Sequence, residues 1–368
     1  MKEDILLGKL PDVFTFANGK KVQTVEEWQE RRKQIINTAV ELEYGGMPPV
    51  PDAVRLEKLT ENGLGRAACY RVHCLIGEKD FTFCFTAYLP NEGEKWPVIL
   101  TGDGMYYKNL DNQVIEEAHR RGFLVVKFNR TEFAHDMYNT SRDTGLYPYF
   151  PQLGFSAISA WAWGYHRVID ALFELPYVDT DHIILSGHSR GGKTVLLAGA
   201  LDDRVFCTNP NGSGAHGCGC YRYIQQEEEG LYAQSRSERL EDLFGPVPYW
   251  LGAGMRSYID KEEKLPHDMH FIKALIAPRA FLETNGRKDI WANPKGSYLT
   301  HLAAKEVWKL YGAEERCQTW YGESGHRHGW EQFNALFDFV ETLLSEEKKW
   351  RENVPYQDIF DIYEQMKG

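Results

Sequence analysis

The sequence predicts a doubly wound, mostly parallel α/β sheet, and three observations carry that expectation. Short continuous apolar runs at 96–100 and 123–128 flank a helix-length segment, the pattern of strands buried on both faces, and 182–185 and 280–283 read as further strands of the same alternation. The stretch Gly187-His188-Ser189-Arg190-Gly191 stands between the run at 182–185 and a helix-like run at 194–200, where a strand must turn sharply into a helix. An acid candidate and a histidine pair then follow the serine in chain order, each in a loop after a predicted strand. Strand, tight serine turn and chain order together describe the α/β-hydrolase fold.

Each element follows from its local pattern. Residues 1–50 read as an N-terminal arm packed on the main domain, with a helix over 25–43 closed by Gly45-Gly46 and Pro48-Pro49. The main domain is expected over 51–348. Runs 67–74 and 81–88 alternate with a period of two, so they predict antiparallel strands before the parallel ones begin. Helices are expected at 112–121, 155–175, 296–311 and 330–344, and further strands at 204–208 and 318–321. Residues 211–270 break the rhythm with a glycine-rich start and a charged helix at 227–243, so they read as an insertion or lid over the site. Residues 349–368 are left as a C-terminal tail.

Composition narrows the function classes. The net charge is -11 and no basic stretch stands out, which argues against a nucleic-acid partner. No apolar run approaches the roughly 18 residues of a membrane span, and Met1-Lys2-Glu3-Asp4 opens no secretory h-region, so a full-length chain of this sequence is expected in the cytoplasm. Seven cysteines, an odd number without regular spacing, suit reduced thiols better than a disulfide framework. Cys218-Gly219-Cys220 near His216 lacks the second pair that a zinc site needs, so neither metal nor cofactor is nominated. Oligomeric state is not legible.

The chemistry rests on Ser189. A serine hydroxyl needs a base to take its proton, and the base needs an acid to fix its tautomer. Asp289 supplies the acid candidate, and His326 and His328 the base candidates. The oxyanion is expected between the backbone N–H of Arg190 and one from the loop Thr101-Gly102-Asp103-Gly104-Met105, with Gly104 and Met105 as its donors. Lys193 lies one turn after Ser189, and two cations beside a nucleophile in an acidic protein suit an anionic or polyhydroxy substrate. Trp250 and Trp291 are candidates to stack on sugar faces, whereas Trp161 and Trp163 suit core packing.

These residues resemble the glucuronoyl esterases, carbohydrate esterase family 15. Similar segments are Phe128-Asn129-Arg130-Thr131-Glu132, Ala157 to Gly164, Ser189-Arg190-Gly191-Gly192-Lys193, Ala274 to Arg279, Trp291-Ala292-Asn293-Pro294 and Gly325-His326-Arg327-His328. The resemblance implies that Arg190 supports the oxyanion, that Lys193 contacts ring hydroxyls and that His328, the second of the pair, is the base, leaving His326 to bind substrate. It implies an acid at Asp289 or at Glu238 in the insertion. His188 and Gly329 occupy positions where fungal members carry a disulfide. The expected activity is serine hydrolysis of a glucuronoyl ester through an acyl-enzyme, on a small carbohydrate ester as the partner. A deacetylating esterase on the same residues and a non-catalytic carbohydrate-binding relative are the other readings.

Overall fold

In a computed structural model, residues 3–62, 66–104, 111–138, 141–227, 235–345, 348–350, 353 and 355–368 are described. The chain runs β1 (Ile5–Leu6), α1 (Val25–Ile35), α2 (Glu41–Tyr44), β2 (Ala53–Glu61), β3 (Ala67–Ile76), β4 (Lys79–Tyr88), β5 (Trp96–Thr101), α3 (Asn112–Arg120), β6 (Leu124–Phe128), α4 (Ala157–Leu172), β7 (Val178–His188) and α5 (Arg190–Leu201). It continues through β8 (Val205–Asn211), β9 (Tyr223–Ile224), α6 (Leu240–Phe244), α7 (His270–Ala274), β10 (Ala280–Gly286), α8 (Pro294–Tyr311), β11 (Cys317–Gly322), α9 (Trp330–Leu344) and α10 (Ile359–Met366).

The main sheet has nine strands in the order β11-β10-β8-β7-β5-β6-β4-β3-β2. Pairs from β11 through β6 are parallel, and β6/β4, β4/β3 and β3/β2 are antiparallel. From β5 the chain passes first to β6 on one side and then to β7 on the other, so strand order reverses between β5 and β7. A crevice opens outside the carboxyl ends of strands at such a switch point.

Helices cover both faces. α4 and α5 pack on each other and carry the larger core, which includes Trp161, Trp163, Leu185, Leu196 and Leu197; α3 and α9 close the opposite face around Ile99, Val125, Ile184 and Phe337. Trp161 and Trp163 are core residues whose indole N–H groups reach Ala134 O at 2.7 Å and Pro49 O at 2.8 Å.

Several boundaries differ from expectation. β2 has no counterpart among the expected strands, because just Val54 and Leu56 pack on the core while most of this edge strand is exposed and charged. The expected charged helix at 227–243 is reduced to α6 among the described residues; Gln226 bridges Arg236 instead, so 235–239 runs extended into the helix. The insertion is also more wall than lid: Cys218, Tyr221, Tyr223, Met255 and Leu265 are buried. The C-terminal tail ends in α10, which packs on α8 and whose Met366 carbonyl accepts from Leu10 N–H, so the two termini meet.

The arm is tied to the insertion by a buried carboxylate. Glu43 accepts hydrogen bonds from His216 Nδ1 (2.6 Å), His267 Nε2 (2.7 Å) and Tyr221 Oη, and His216 Nε2 lies 2.9 Å from Trp250 O. Burial pushes the Glu43 carboxyl up, but the hydrogen bonds and charges of His216 and His267 outweigh it and hold the group well below the ordinary carboxylate range. A depressed folded value means the contribution to stability is fully present above the unfolded carboxyl value of about 4.3 and fades as pH falls below it. Glu43→Gln is therefore expected to cost about 3–5 kcal/mol at pH 7 in urea melts, with the gap to the parent protein narrowing below about pH 4.

Candidate active site

Ser189 is held at φ 55 and ψ -118 between β7 and α5, a conformation that L-residues avoid and that a surrounding structure must enforce. Two glycines make the turn possible. A Cβ on Gly187 would lie 2.4 Å from Gly191 O, and one on Gly191 would lie 2.4 Å from the Asp103 carboxylate. Asp103 follows β5, and its Oδ2 accepts the His188 N–H at 3.0 Å, fixing the residue just before the serine. Ser189 N–H in turn bonds Asn211 O at 2.8 Å, so β8 braces the same turn.

A cavity of about 360 Å³ opens at this point, lined by Ser189, Arg190, Lys193, Glu238, Trp250, Asp289, Trp291 and His326 among others. Asp289 is buried in the loop after β10, where its N–H bonds Gly286 O and Oδ1 accepts from Ala292 N–H at 3.4 Å. Its Oδ2 is 2.6 Å from His326 Nδ1. Asp289 does not pair with Arg287, which reaches Glu323 at 3.0 Å. With Nδ1 on the carboxylate, the His326 ring keeps Nε2 for another partner.

His328, the base that the resemblance implies, is not at the Asp289 carboxylate. Its ring stacks on Phe333 at 4.2 Å, and its Nε2 is 3.4 Å from Ser186 Oγ, not from Ser189. The Ser186 hydroxyl gives its hydrogen to Asn209 Oδ1 at 2.8 Å, so His328 Nε2 must act as donor to Ser186. Burial, with a smaller push from His188, holds the His328 imidazole well below its ordinary value. Neither feature suits a base.

His188 fills the space between the two histidines. Its ring centroid is 4.4 Å from that of His326 and 5.7 Å from that of His328, and Nδ1 lies 2.6 Å from Asn211 Oδ1. Burial first, and the nearby His326 second, push its pKa down to about 4, so a neutral ring packs beside His326 where the fungal pattern has a cysteine.

The cationic side of the cavity is built from α5. Lys193 is buried, with Nζ 2.8 Å from Glu238 Oε2 and bonded to Ala215 O, and it lies 5.8 Å from the Trp250 ring centroid. Glu238, the alternative acid, is thus engaged by Lys193 while Asp289 holds the histidine. The Arg190 guanidinium lies 4.8 Å from the Trp250 centroid and donates to Asp136 Oδ2 at 2.9 Å. Trp291 lines the cavity, and its carbonyl accepts the Glu238 N–H at 3.0 Å.

One expected oxyanion donor is already spent. Gly104 N–H is bonded to Phe128 O at 2.9 Å, and a Cβ there would meet the same carbonyl at 2.5 Å, so this glycine serves the β5–β6 junction. Met105 falls outside the described residues. Asp103, Arg130, Asp136 and Asn211 were missed as site residues; Asp103, Arg130 and Asn211 lie at or just beyond carboxyl ends of parallel strands, the positional signal that marked Asp289, whereas Asp136 lies farther along the loop after β6.

The family described as "Glucuronyl esterase, fungi" matches residues 60–312. The chain belongs to this family. A 4-O-methyl-glucuronoyl methylesterase of Schizophyllum commune is 30% identical over 331 residues, covering 88% of this chain and 76% of its own length. The protein of that name from Hypocrea jecorina is 30% identical over 313 residues, covering 83% and 63%. Among solved structures, a carbohydrate esterase family 15 glucuronoyl esterase from Caldicellulosiruptor kristjansonii superposes with a TM-score of 0.83 at 27% identity over 96% of each chain. As a member of the family, the chain has the α/β-hydrolase fold and is a carboxylic ester hydrolase.

Proposed function

We propose that the chain hydrolyses a glucuronoyl ester through Ser189, His326 and Asp289. The observation that carries this reading is the 2.6 Å bond from Asp289 to His326 Nδ1 in the cavity that Ser189 lines. Ser189 Oγ attacks the ester carbonyl carbon as His326 Nε2 takes its proton, and the new O–C bond pushes charge onto the carbonyl oxygen. The backbone N–H groups that open α5 and the Arg190 guanidinium support that charge. Collapse breaks the bond to the alcohol, which leaves with the proton from His326; water then repeats the sequence and frees the glucuronate. Asp289 keeps the hydrogen on Nδ1 throughout and stabilises the imidazolium.

Substrate choice follows from the opposite wall. Lys193 and Glu238 form a buried ion pair beside Trp250, so donors and acceptors face one end of the cavity while indole faces another. Such a set suits ring hydroxyls, with Trp250 and Trp291 against the sugar face. Methyl 4-O-methylglucuronate is expected to be hydrolysed far faster than acetylated xylo-oligosaccharides; the reverse ranking makes the chain a deacetylating esterase, and failure to react with a fluorophosphonate probe makes it non-catalytic.

Two further results are expected. Asp289→Asn should lower kcat by about 10⁴, the effect of allowing the wrong imidazole tautomer, while Glu238→Gln should cost far less; steady-state kinetics on the methyl glucuronate ester distinguish them. Replacing Lys193 by Met together with Glu238 by Gln avoids stranding a buried carboxylate. It should reduce kcat/KM on that ester about 10- to 100-fold yet leave p-nitrophenyl acetate nearly unchanged, because the small ester has no ring hydroxyl to lose.

A further inference from the structure

We propose that Asp136 is a positioning residue that sets the Arg190 guanidinium over the reacting ester and locks it to the Trp250 wall, an inference that rests on the oxyanion role proposed for Arg190. Asp136 lies in the loop beyond β6, and its side chain is only 9% exposed. Oδ2 accepts from Arg190 Nη1 at 2.9 Å, while Oδ1 accepts from Tyr249 Oη at 3.1 Å and Trp250 Nε1 at 3.2 Å. One carboxylate thus holds both the cation and the indole that the cation lies on. Through it α5, the 248–250 segment and the loop beyond β6 are joined at a single point.

The contact continues behind the nucleophile. Arg130, fully buried with its guanidinium 4.5 Å from the Trp161 centroid, places Nη2 3.6 Å from Asp136 Oδ2 and Nη1 3.5 Å from Asp103 Oδ1. Asp103 in turn accepts the His188 N–H. Charges therefore alternate from the serine turn through Asp103, Arg130 and Asp136 to Arg190.

Why a carboxylate is needed follows from donor counting. Three N–H or O–H groups point at Asp136, and a carboxamide offers one oxygen and turns an NH₂ towards the rest. The Arg190 side chain is 37% exposed, so losing the charged bond to Asp136 would loosen it and blunt the fixed geometry that makes a cation effective at a developing oxyanion.

A double-mutant cycle with Arg190 tests this on the methyl glucuronate ester, using the whole chain and thermal melting to verify folding. Asp136→Asn is expected to lower kcat about 10- to 100-fold with KM changed less than about threefold, the scale of a misplaced catalytic contact. In an Arg190→Met background the same change should cost less than about twofold, since the group it positions is gone. Tyr249→Phe, which loosens only the wall, should lower kcat much less than Asp136→Asn. If Asp136→Asn costs the same factor with and without Arg190, or if Tyr249→Phe matches it, Asp136 is a structural clamp and the inference is overturned while Arg190 keeps its role. If Arg190→Met leaves kcat unchanged, the reading of Arg190 falls and takes this inference with it. Should Asp136→Asn fail to fold, Asp136→Glu in the same two backgrounds gives the same comparison.

Discussion

Ser189→Ala is expected to lower kcat on a glucuronate ester by about 10⁶, the usual loss for a triad serine, with little change in thermal stability. The alanine keeps a Cβ, so the strained φ of 55 that the elbow imposes is neither worsened nor relieved. Strain of this kind costs about 1–3 kcal/mol, and Ser189→Gly should recover part of it and melt higher than the alanine variant. The pair of variants separates two uses of the position. Both lose the nucleophile, so both should be inactive, but only glycine escapes the positive-φ penalty. An alanine variant that kept even a tenth of the parent kcat would show that another group attacks the ester.

That elbow was legible because its requirements are local. A strand, a helix and two glycines within five residues leave few other geometries, and Gly187 and Gly191 prove to be where backbone and the Asp103 carboxylate approach within 2.4 Å of a would-be Cβ. The parallel strands were legible for a related reason: burial on both faces writes itself as an unbroken apolar run, as in Val98-Ile99-Leu100 and Leu124-Val125-Val126. β2 left only a faint mark, since just Val54 and Leu56 of this edge strand pack on the core and the rest is mostly exposed. The buried charges were the hardest to read. Arg130, Glu43 and Asp136 look in the sequence like ordinary surface residues, and only long-range pairing, Glu43 with His216 and His267 above all, explains why they are inside. Gly104 failed as an oxyanion donor for the same reason: whether an N–H is already spent depends on a strand neighbour, here Phe128.

The histidine pair gives the second large effect, and its outcome depends on a contact the sequence cannot show. His326→Ala should lower kcat to within about tenfold of Ser189→Ala, because serine and histidine act as a unit and losing either removes proton transfer. Its side chain is 28% exposed at the cavity, so no core void opens, and the stability cost is that of leaving the buried Asp289 carboxylate without its partner, about 1–3 kcal/mol. His328→Ala should behave in the opposite way. That ring is packed on Phe333 and bonded to Ser186 beneath the site, so its removal opens a cavity and is expected to cost about 2–5 kcal/mol of stability, the range for large-to-small core changes. Most of the kcat should remain in the folded fraction, with the pH–rate profile keeping its shape, since a group held well below its ordinary value by burial does not titrate near neutrality. Two measurements on each variant, kcat and the melting temperature, therefore sort the pair. A His328 variant that melts normally but loses turnover as completely as Ser189→Ala would return the base to His328 and require the Asp289–His326 bond to be a support and not the proton path.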